Sequence, residues 1–197
     1  IARVYSNNNL PNSSLLMRSE LSPATEAVLD IDRVKDLLVD RGYQEAITYS
    51  FVDEDIQKAV APEMEVIRLK NPISSELAVM RTTLWCGLLK AALYNINRQQ
   101  NRVRLFETGL RFIKKDGETH QQKMLAGLVL GDAYNEQWGE KARKVDFFDI
   151  KADILAIFAL TGCEVQFTFA QQSALHPGQT AEILSSDGKK IGWLGML

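Results

Sequence analysis

A long hairpin is the feature of this 197-residue sequence that most restricts its fold. Strand patterns over 103–107 and 111–114 are followed by the turn signal Lys115-Asp-Gly-Glu118 and then by the apolar strand pattern of Met124–Leu130. A parallel pair would need a connection of a dozen or more residues, so these strands are predicted to be antiparallel. Asp187-Gly188 marks a second hairpin turn near the end of the sequence.

Four segments have apolar residues at the spacing of a helix. One helix is predicted over about 25–41, and a short one over 53–60 with Asp53 as its cap. Two more are predicted over 84–95 and 146–161. Since helices and strands are irregularly interleaved, the predicted class is α+β, with helices packed on a largely antiparallel sheet.

Shorter strand patterns lie between these helices. Ile47, Tyr49 and Phe51 alternate with polar residues, which predicts a half-buried strand over 45–52. The other predicted strands are 65–69, 165–169, 182–184 and 191–197.

The charge and apolar patterns exclude several classes of protein. The 23 basic and 25 acidic residues give a net charge of −2, so no general field attracts nucleic acid or anionic lipid. The longest apolar stretches, such as 124–130 and 154–160, fall short of the roughly 20 residues that span a bilayer. Neither GxGxxG nor GxxxxGK[ST] occurs, so no nucleotide-binding loop is predicted.

The cysteines and the first residues indicate a cytoplasmic protein cut from a longer chain. Cys86 and Cys163 have no CxxC partner or metal-ligand spacing, and both are predicted to be buried, reduced thiols. The segment Ile1–Tyr5 has no initiator methionine and no leader pattern, which we interpret as a cut through a larger protein.

Several segments resemble landmarks of one family, in the family's order. They are Arg33 to Phe51, Asn71-Pro-Ile-Ser74, Met80 to Leu84 with Gly87 to Leu89, Tyr94 to Arg98, Arg104 to Gly109 and Leu175-His-Pro-Gly178. Together they resemble the beta subunit of bacterial phenylalanyl-tRNA synthetase over nearly the whole chain. The resemblance implies a preceding module's tail and a linker over 1–24. It also implies a C-terminally truncated, catalytic-like core over 25–197, with a class II aminoacyl-tRNA synthetase-like fold.

The resemblance also implies cofactors and partners. In the family, an acidic cluster that holds magnesium lies just before the segment where this sequence begins, so no cofactor is expected here, while the whole enzyme uses ATP and magnesium. The alpha subunit, which binds ATP, phenylalanine and the acceptor end of the tRNA, is the implied partner in a heterotetramer. The implied role of this module is assembly, so that the whole enzyme attaches phenylalanine to its tRNA.

The charges that adenylate formation requires are not found in the expected places. A class II enzyme surrounds ATP with arginine and acidic residues, because the developing charge must be stabilised. The strand over 103–112 is similar to the one that opens the second class II motif, but Phe-Ile-Lys-Lys follows Arg111, and no third motif appears before Leu197. No catalytic, cofactor or metal residue is therefore predicted. Arg81 and Glu107 are the only residues near the landmarks suited to phosphate or metal chemistry, and we predict that they pair with each other.

Other polar residues are given structural roles. His176 is predicted to fix the His-Pro-Gly turn through a ring hydrogen bond, and His120 to be solvated. Asp149 and Asp153 are four residues apart on one predicted helix, and we interpret them as neighbours on its wet face.

Two contact surfaces are considered. The alpha-subunit interface is assigned to residues near the landmarks, for which a core role is equally open: Pro72, Met80, Arg81, Leu84 and Trp85. The alternative is an RNA-binding module that contacts tRNA through Arg98, Arg102 and Arg104. No aromatic residue is interleaved with these arginines, so a solvated connection between helix and strand is the default.

Overall fold

The computed structural model describes Val4, Ser6, Asn9 and residues 29–197. The predicted tail and linker over 1–24 lie, apart from those three residues, outside the described part of the chain. The same holds for the first four residues of the helix predicted over 25–41.

All four predicted helices are confirmed in the described residues. They are α1 (Ile31–Asp40), α2 (Glu54–Val60), α3 (Trp85–Ile96) and α4 (Phe147–Ala159), and a 3-10 helix covers Ser75–Leu77. Three of the four begin at an aspartate. The carboxylates of Asp30, Asp53 and Asp146 accept backbone N–H groups of the first turn, which would otherwise have no partner.

Within the described part of the chain, the strands form three small sheets of three strands each. Their bounds are β1 (Gln44–Glu45), β2 (Phe51–Val52), β3 (Ile67–Arg68), β4 (Val79–Met80), β5 (Val103–Lys115), β6 (Glu118–Leu130), β7 (Val165–Phe169), β8 (Thr180–Ser185) and β9 (Lys190–Gly195). The strand orders are β1-β5-β6, β2-β4-β3 and β7-β8-β9. Every pairing is antiparallel except that of β1 with β5, so the α+β class is confirmed, while the single sheet expected from the sequence is divided into three.

The long hairpin is confirmed, and its turn explains its register. β5 and β6 pair from Val103 with Leu130 down to Lys115 with Glu118. The two connecting residues, Asp116 and Gly117, have φ angles of 54° and 82°. Two consecutive positive φ angles match the right-handed twist of the strands, and an Asp-Gly pair adopts them at little cost.

The strand predicted over 45–52 is wrong. Its two ends pair in different sheets, as β1 and β2, and the five residues 46–50 belong to neither. Ile47 and Tyr49 are 91% and 75% exposed. The physical reason is that Thr48 binds the carboxylate of Glu107 with both its N–H and its hydroxyl, which draws the segment out of the strand path.

In the described residues, three apolar clusters pack the helices against the β1-β5-β6 and β2-β4-β3 sheets. They are Val34, Leu38, Tyr43 and Phe106, then Val52, Val60, Val79 and Cys86, and then Leu88, Ala92, Val103 and Leu105. The first joins α1 to the hairpin, the second joins α2 to α3 and the small sheet, and the third packs α3 on β5. Within the described residues, no helix has the length and apolar character needed to cross a membrane.

Candidate functional site

A buried ion pair lies between β4 and the middle of β5. Arg81 follows β4 directly, and its Nη1 is 2.7 Å from Oε1 of Glu107 on β5. The two side chains are only 3% and 2% exposed. The predicted pairing of Arg81 with Glu107 is thus confirmed, and it is desolvated rather than a surface contact.

Thr48 is hydrogen-bonded to both residues of this pair. Its hydroxyl donates to Glu107 Oε2 at 2.8 Å and accepts from Arg81 Nη1 at 3.0 Å, while its N–H donates to Glu107 Oε1 at 3.2 Å. Two glycines leave room for the cluster. A Cβ at Gly87 would lie 2.0 Å from Thr48 Oγ1, and a Cβ at Gly109 would lie 2.4 Å from Arg81 Nη2.

The polar groups of Arg81, Glu107 and Thr48 are hydrogen-bonded to each other and to the backbone, so they are not directed toward a ligand. Arg81 also donates through Nε to the carbonyl oxygen of Leu110 at 2.9 Å. Among the described residues, no buried side-chain nitrogen or oxygen is left without a partner, and no group of three metal-binding side chains comes together. Two open surface cavities of ≈ 470 and ≈ 390 Å³ are lined by other residues than Arg81 and Glu107. The pair is therefore built to hold structure, because its donors and acceptors face each other.

A second buried cluster forms around Asp153 of α4. Its carboxylate accepts from Arg41 Nε at 2.5 Å, from the Tyr43 hydroxyl at 2.6 Å and from Arg104 Nη2 at 3.4 Å. Burial, followed by the bond to Asp153, raises the pKa of the Tyr43 hydroxyl. Asp153 is 6% exposed, so its assignment to a wet helix face is wrong. It joins α4 to the end of α1 and to β5.

Asp149 lies one turn earlier on α4 and has a different role. Its carboxylate accepts from Arg143 at 2.6 and 2.7 Å and from the N–H of Asp146, which completes a capping box at the start of the helix. The hydrogen bond from Arg143 lowers the pKa of Asp149 from 3.8 to about 2.

We predict that Asp149→Asn lowers stability by about 1 kcal/mol at pH 7, because it weakens the capping box and removes the charged partner of Arg143. The folded-state pKa is depressed, so this contribution is present above pH 4 to 5 and is lost as pH falls toward 2. Urea unfolding of both proteins at pH 7, 4 and 3 should show the difference shrinking. An equal difference at the three pH values would contradict the ionic role.

The turn at Leu175-His-Pro-Gly178 is held by His176. The N–H of Gly178 donates to His176 Nδ1 at 3.1 Å, which confirms the predicted ring hydrogen bond. The backbone of His176 also binds Met196 and the hydroxyl of Thr180, both at 2.7 Å. His120 is exposed, as predicted.

We expect His176→Ala to lower the free energy of unfolding by about 1 kcal/mol, the value of one hydrogen bond. His176→Asn should recover most of that loss, because an asparagine side-chain oxygen accepts the N–H two residues on in the same way. Urea unfolding of the three proteins measures both effects. If asparagine is as damaging as alanine, the ring does not act through this bond.

The two cysteines differ in burial. Cys86 is buried in the α2–α3 cluster, and burial raises the pKa of its thiol to about 11. Cys163 is exposed after the end of α4, so its predicted burial is wrong. The reason is local, since the chain turns there at Gly162, which has a φ of 66°.

The five residues assigned to an alpha-subunit interface do not share one environment. Arg81 and Leu84 are 3% and 1% exposed, and they offer almost no surface to a partner. Met80 and Trp85 are partly exposed, and Pro72 is exposed.

The three arginines assigned to RNA contacts are also divided. Arg98 is exposed and lies 3.3 Å over the ring of Tyr94. Arg102 donates to the carbonyl oxygens of Asp132 and Ala133, and the side chain of Arg104 is 12% exposed beside Asp153. Of the three, only Arg98 is an exposed residue, so they do not form a continuous basic surface.

The sequence did not predict that Thr48 binds Glu107, or that the side chains of Ile47 and Tyr49 are exposed. It also missed a buried network in which Gln57 of α2 donates to the hydroxyl of Thr82 and accepts its N–H at 3.1 Å. A threonine inside an apolar alternation is a weak signal, because threonine is common in half-buried strands.

Comparison of the sequence with known proteins identifies its family. Residues 10–197 match the family described as "Phenylalanyl tRNA synthetase beta chain CLM domain". The chain is 57% identical to the phenylalanine–tRNA ligase beta subunit of Methylococcus capsulatus and 51% identical to that of Hahella chejuensis. It is 47% identical to that of Pseudomonas putida. Each match covers 100% of this chain and 25% of the relative, so the chain spans about a quarter of the length of these proteins.

Proposed function

The chain belongs to the phenylalanyl tRNA synthetase beta chain CLM domain family, and from this we propose that it is a non-catalytic module that supports assembly of the beta subunit with the catalytic alpha subunit. Through that assembly, the whole enzyme attaches phenylalanine to its tRNA with ATP and magnesium. The proposal includes the heterotetrameric state of the enzyme and its location in the cytoplasm.

The closed Arg81–Glu107–Thr48 cluster is the observation that carries the proposal. An adenylate-forming site needs arginine donors aimed at phosphate oxygens. Here the one buried arginine near the landmark segments donates to a glutamate, a threonine and a carbonyl oxygen of the same chain. A scaffold with its charges neutralised internally supports an assembly role better than a catalytic one.

We propose further that the three sheets and their helices represent a class II synthetase-like core. The long β5–β6 hairpin, with α3 packed on it, supports this architecture.

The proposed interface with the alpha subunit lies on the side of α3 that faces away from the core. Leu93 and Tyr94 are each 57% exposed there. Pro72 and the partly exposed Met80 and Trp85 belong to the same proposal. Large apolar side chains outside the core are typical of surfaces that a partner covers.

Reconstitution of the enzyme tests this function. Separate alpha and full-length beta subunits are mixed with and without an excess of this chain, and aminoacylation of phenylalanine tRNA is measured. The chain should compete for the alpha subunit and lower the activity, and alone it should catalyse no phenylalanine-dependent pyrophosphate exchange. Exchange by the chain alone, or unchanged activity at high excess, would overturn the proposal.

A further inference from the structure

Helix α4 carries apolar residues on both of its faces. One face packs on the rest of the chain, where Ile157 contacts the cluster of α1 and the hairpin, and Asp153 binds its arginines. The opposite face is a stripe of four exposed, uncharged residues, here called the outer stripe: Phe148, Ala152, Leu155 and Ala159. Its two large side chains are 70% and 43% exposed. A helix that is apolar all round is typical of one covered on both sides.

The spacing within the outer stripe is that of a helix that packs on another helix. Its four residues are separated by steps of four, three and four, which are the steps between the d and a positions of a heptad. The large side chains hold the d positions, and alanines hold the a positions. The ring of Phe148 is packed edge-on against that of Phe147, with centroids 5.7 Å apart. The outer stripe therefore alternates a knob with a hole along one seam.

This alternation fits the same stripe of a second copy when the two helices run antiparallel. In an antiparallel pair each a position faces a d position, whereas a parallel pair aligns a with a and d with d. A two-fold axis midway between 152 and 155 places Phe148 opposite Ala159, and Ala152 opposite Leu155, in both directions. Every layer then combines one large and one small side chain. A parallel pair would instead alternate crowded layers with empty ones.

The charges beside the outer stripe are compatible with this pairing. Lys151 and Asp149 flank the stripe, and in the antiparallel arrangement they lie opposite Phe158 and Ala156 of the second copy. The carboxylate of Asp149 is moreover bound by Arg143. The positive end of each helix dipole also lies beside the negative end of the other. No like charges are brought together along the seam.

We propose that the outer stripe of α4 is a two-fold contact between two copies of this chain, in which the helices pack antiparallel with Phe148 against Ala159 and Ala152 against Leu155. The inference goes beyond the proposed function and does not depend on it. Because α4 has 13 residues, the seam is about 20 Å long, and it buries less than the roughly 1,200–2,000 Å² of stable complexes. The dimer is therefore weak, with an expected Kd of about 10–100 μM.

Sedimentation equilibrium tests the contact in the full-length beta subunit and in this chain, at concentrations up to about ten times the expected Kd. Ala152→Leu places leucine opposite leucine and should weaken the dimer at least about 10-fold. Leu155→Ala places alanine opposite alanine and should weaken it by a similar factor. The double variant exchanges the two side chains, so each central layer again has one large and one small residue. Its Kd should return to within about 3-fold of the wild-type value.

Ala59→Leu is the matched control, since Ala59 is an exposed alanine on α2, and it should leave the Kd unchanged. Tighter association of the Ala152→Leu protein would indicate unspecific apolar contact and would overturn the inference, as would a double variant no better than the single ones. A wild-type chain that stays monomeric contradicts it as well. So does a full-length beta subunit that stays monomeric while this chain dimerises, since the rest of that subunit then covers the outer stripe. None of these results depends on binding of the alpha subunit, so the proposed function is tested separately.

Discussion

Glu107→Gln is expected to lower the free energy of unfolding by about 3–5 kcal/mol, which is the cost of leaving one partner of a buried ion pair uncompensated. Glutamine has nearly the shape of glutamate, so the change leaves no cavity. It removes the negative charge 2.7 Å from Arg81, whose guanidinium is too deeply buried for water to replace it. Urea unfolding followed by circular dichroism measures the loss.

Two comparisons make this result specific to the buried pair. Glu45→Gln alters an ion pair with Lys35 in which the side chains are 31% and 28% exposed, and it should cost less than about 1 kcal/mol. The double variant Arg81→Met with Glu107→Gln should be more stable than the sum of the two single losses predicts, since the unpaired charge is gone. A loss for Glu107→Gln no larger than that for Glu45→Gln would show that the pair contributes little to the fold.

Asp153→Asn is expected to cost about 3 kcal/mol, because one carboxylate there serves two arginines and a buried tyrosine hydroxyl. Asparagine can still accept one or two of these bonds, but Arg104 and Arg41 then lie close together without an opposing charge. The loss should appear in the unfolding midpoint. It should also appear as faster amide exchange in α4, since Asp153 joins that helix to α1 and β5.

Asp149 provides the matched control on the same helix. Asp149→Asn removes a carboxylate four residues away, but its partner Arg143 is 44% exposed, so water can solvate the guanidinium. The two substitutions should therefore differ by about 2 kcal/mol at pH 7. Equal losses would mean that Asp153 gains nothing from its two arginines, whose side chains are 34% and 12% exposed.

The elements set by local chemistry were predictable from the sequence. The β5–β6 turn follows from an Asp-Gly pair that accepts positive φ angles, and α2 follows from the cap at Asp53. The His176 turn is equally local, because its bond reaches only two residues along the chain.

The contacts that join distant segments were not predictable in the same way. Asp153 is hydrogen-bonded to Arg41, which is 112 residues away in the sequence, and to Arg104, which is 49 residues away. The spacing of residues within one helix cannot predict partners so distant in the sequence. The segment 46–50 shows the same limit. Its alternation is that of a strand, and only the buried glutamate 59 residues away turns Thr48 inward and leaves Ile47 and Tyr49 outside. The Arg81–Glu107 pairing was predictable because an arginine at the entrance of a helix commonly pairs with a nearby acid, and Glu107 lies in another of the landmark segments.

The most direct test of the assembly role is size-exclusion chromatography with light scattering on a mixture of this chain and the matching alpha subunit. The proposed function predicts a complex whose mass is the sum of the two components in a fixed ratio, with no pyrophosphate exchange by this chain alone. Separate elution of the two proteins at concentrations well above micromolar would contradict it.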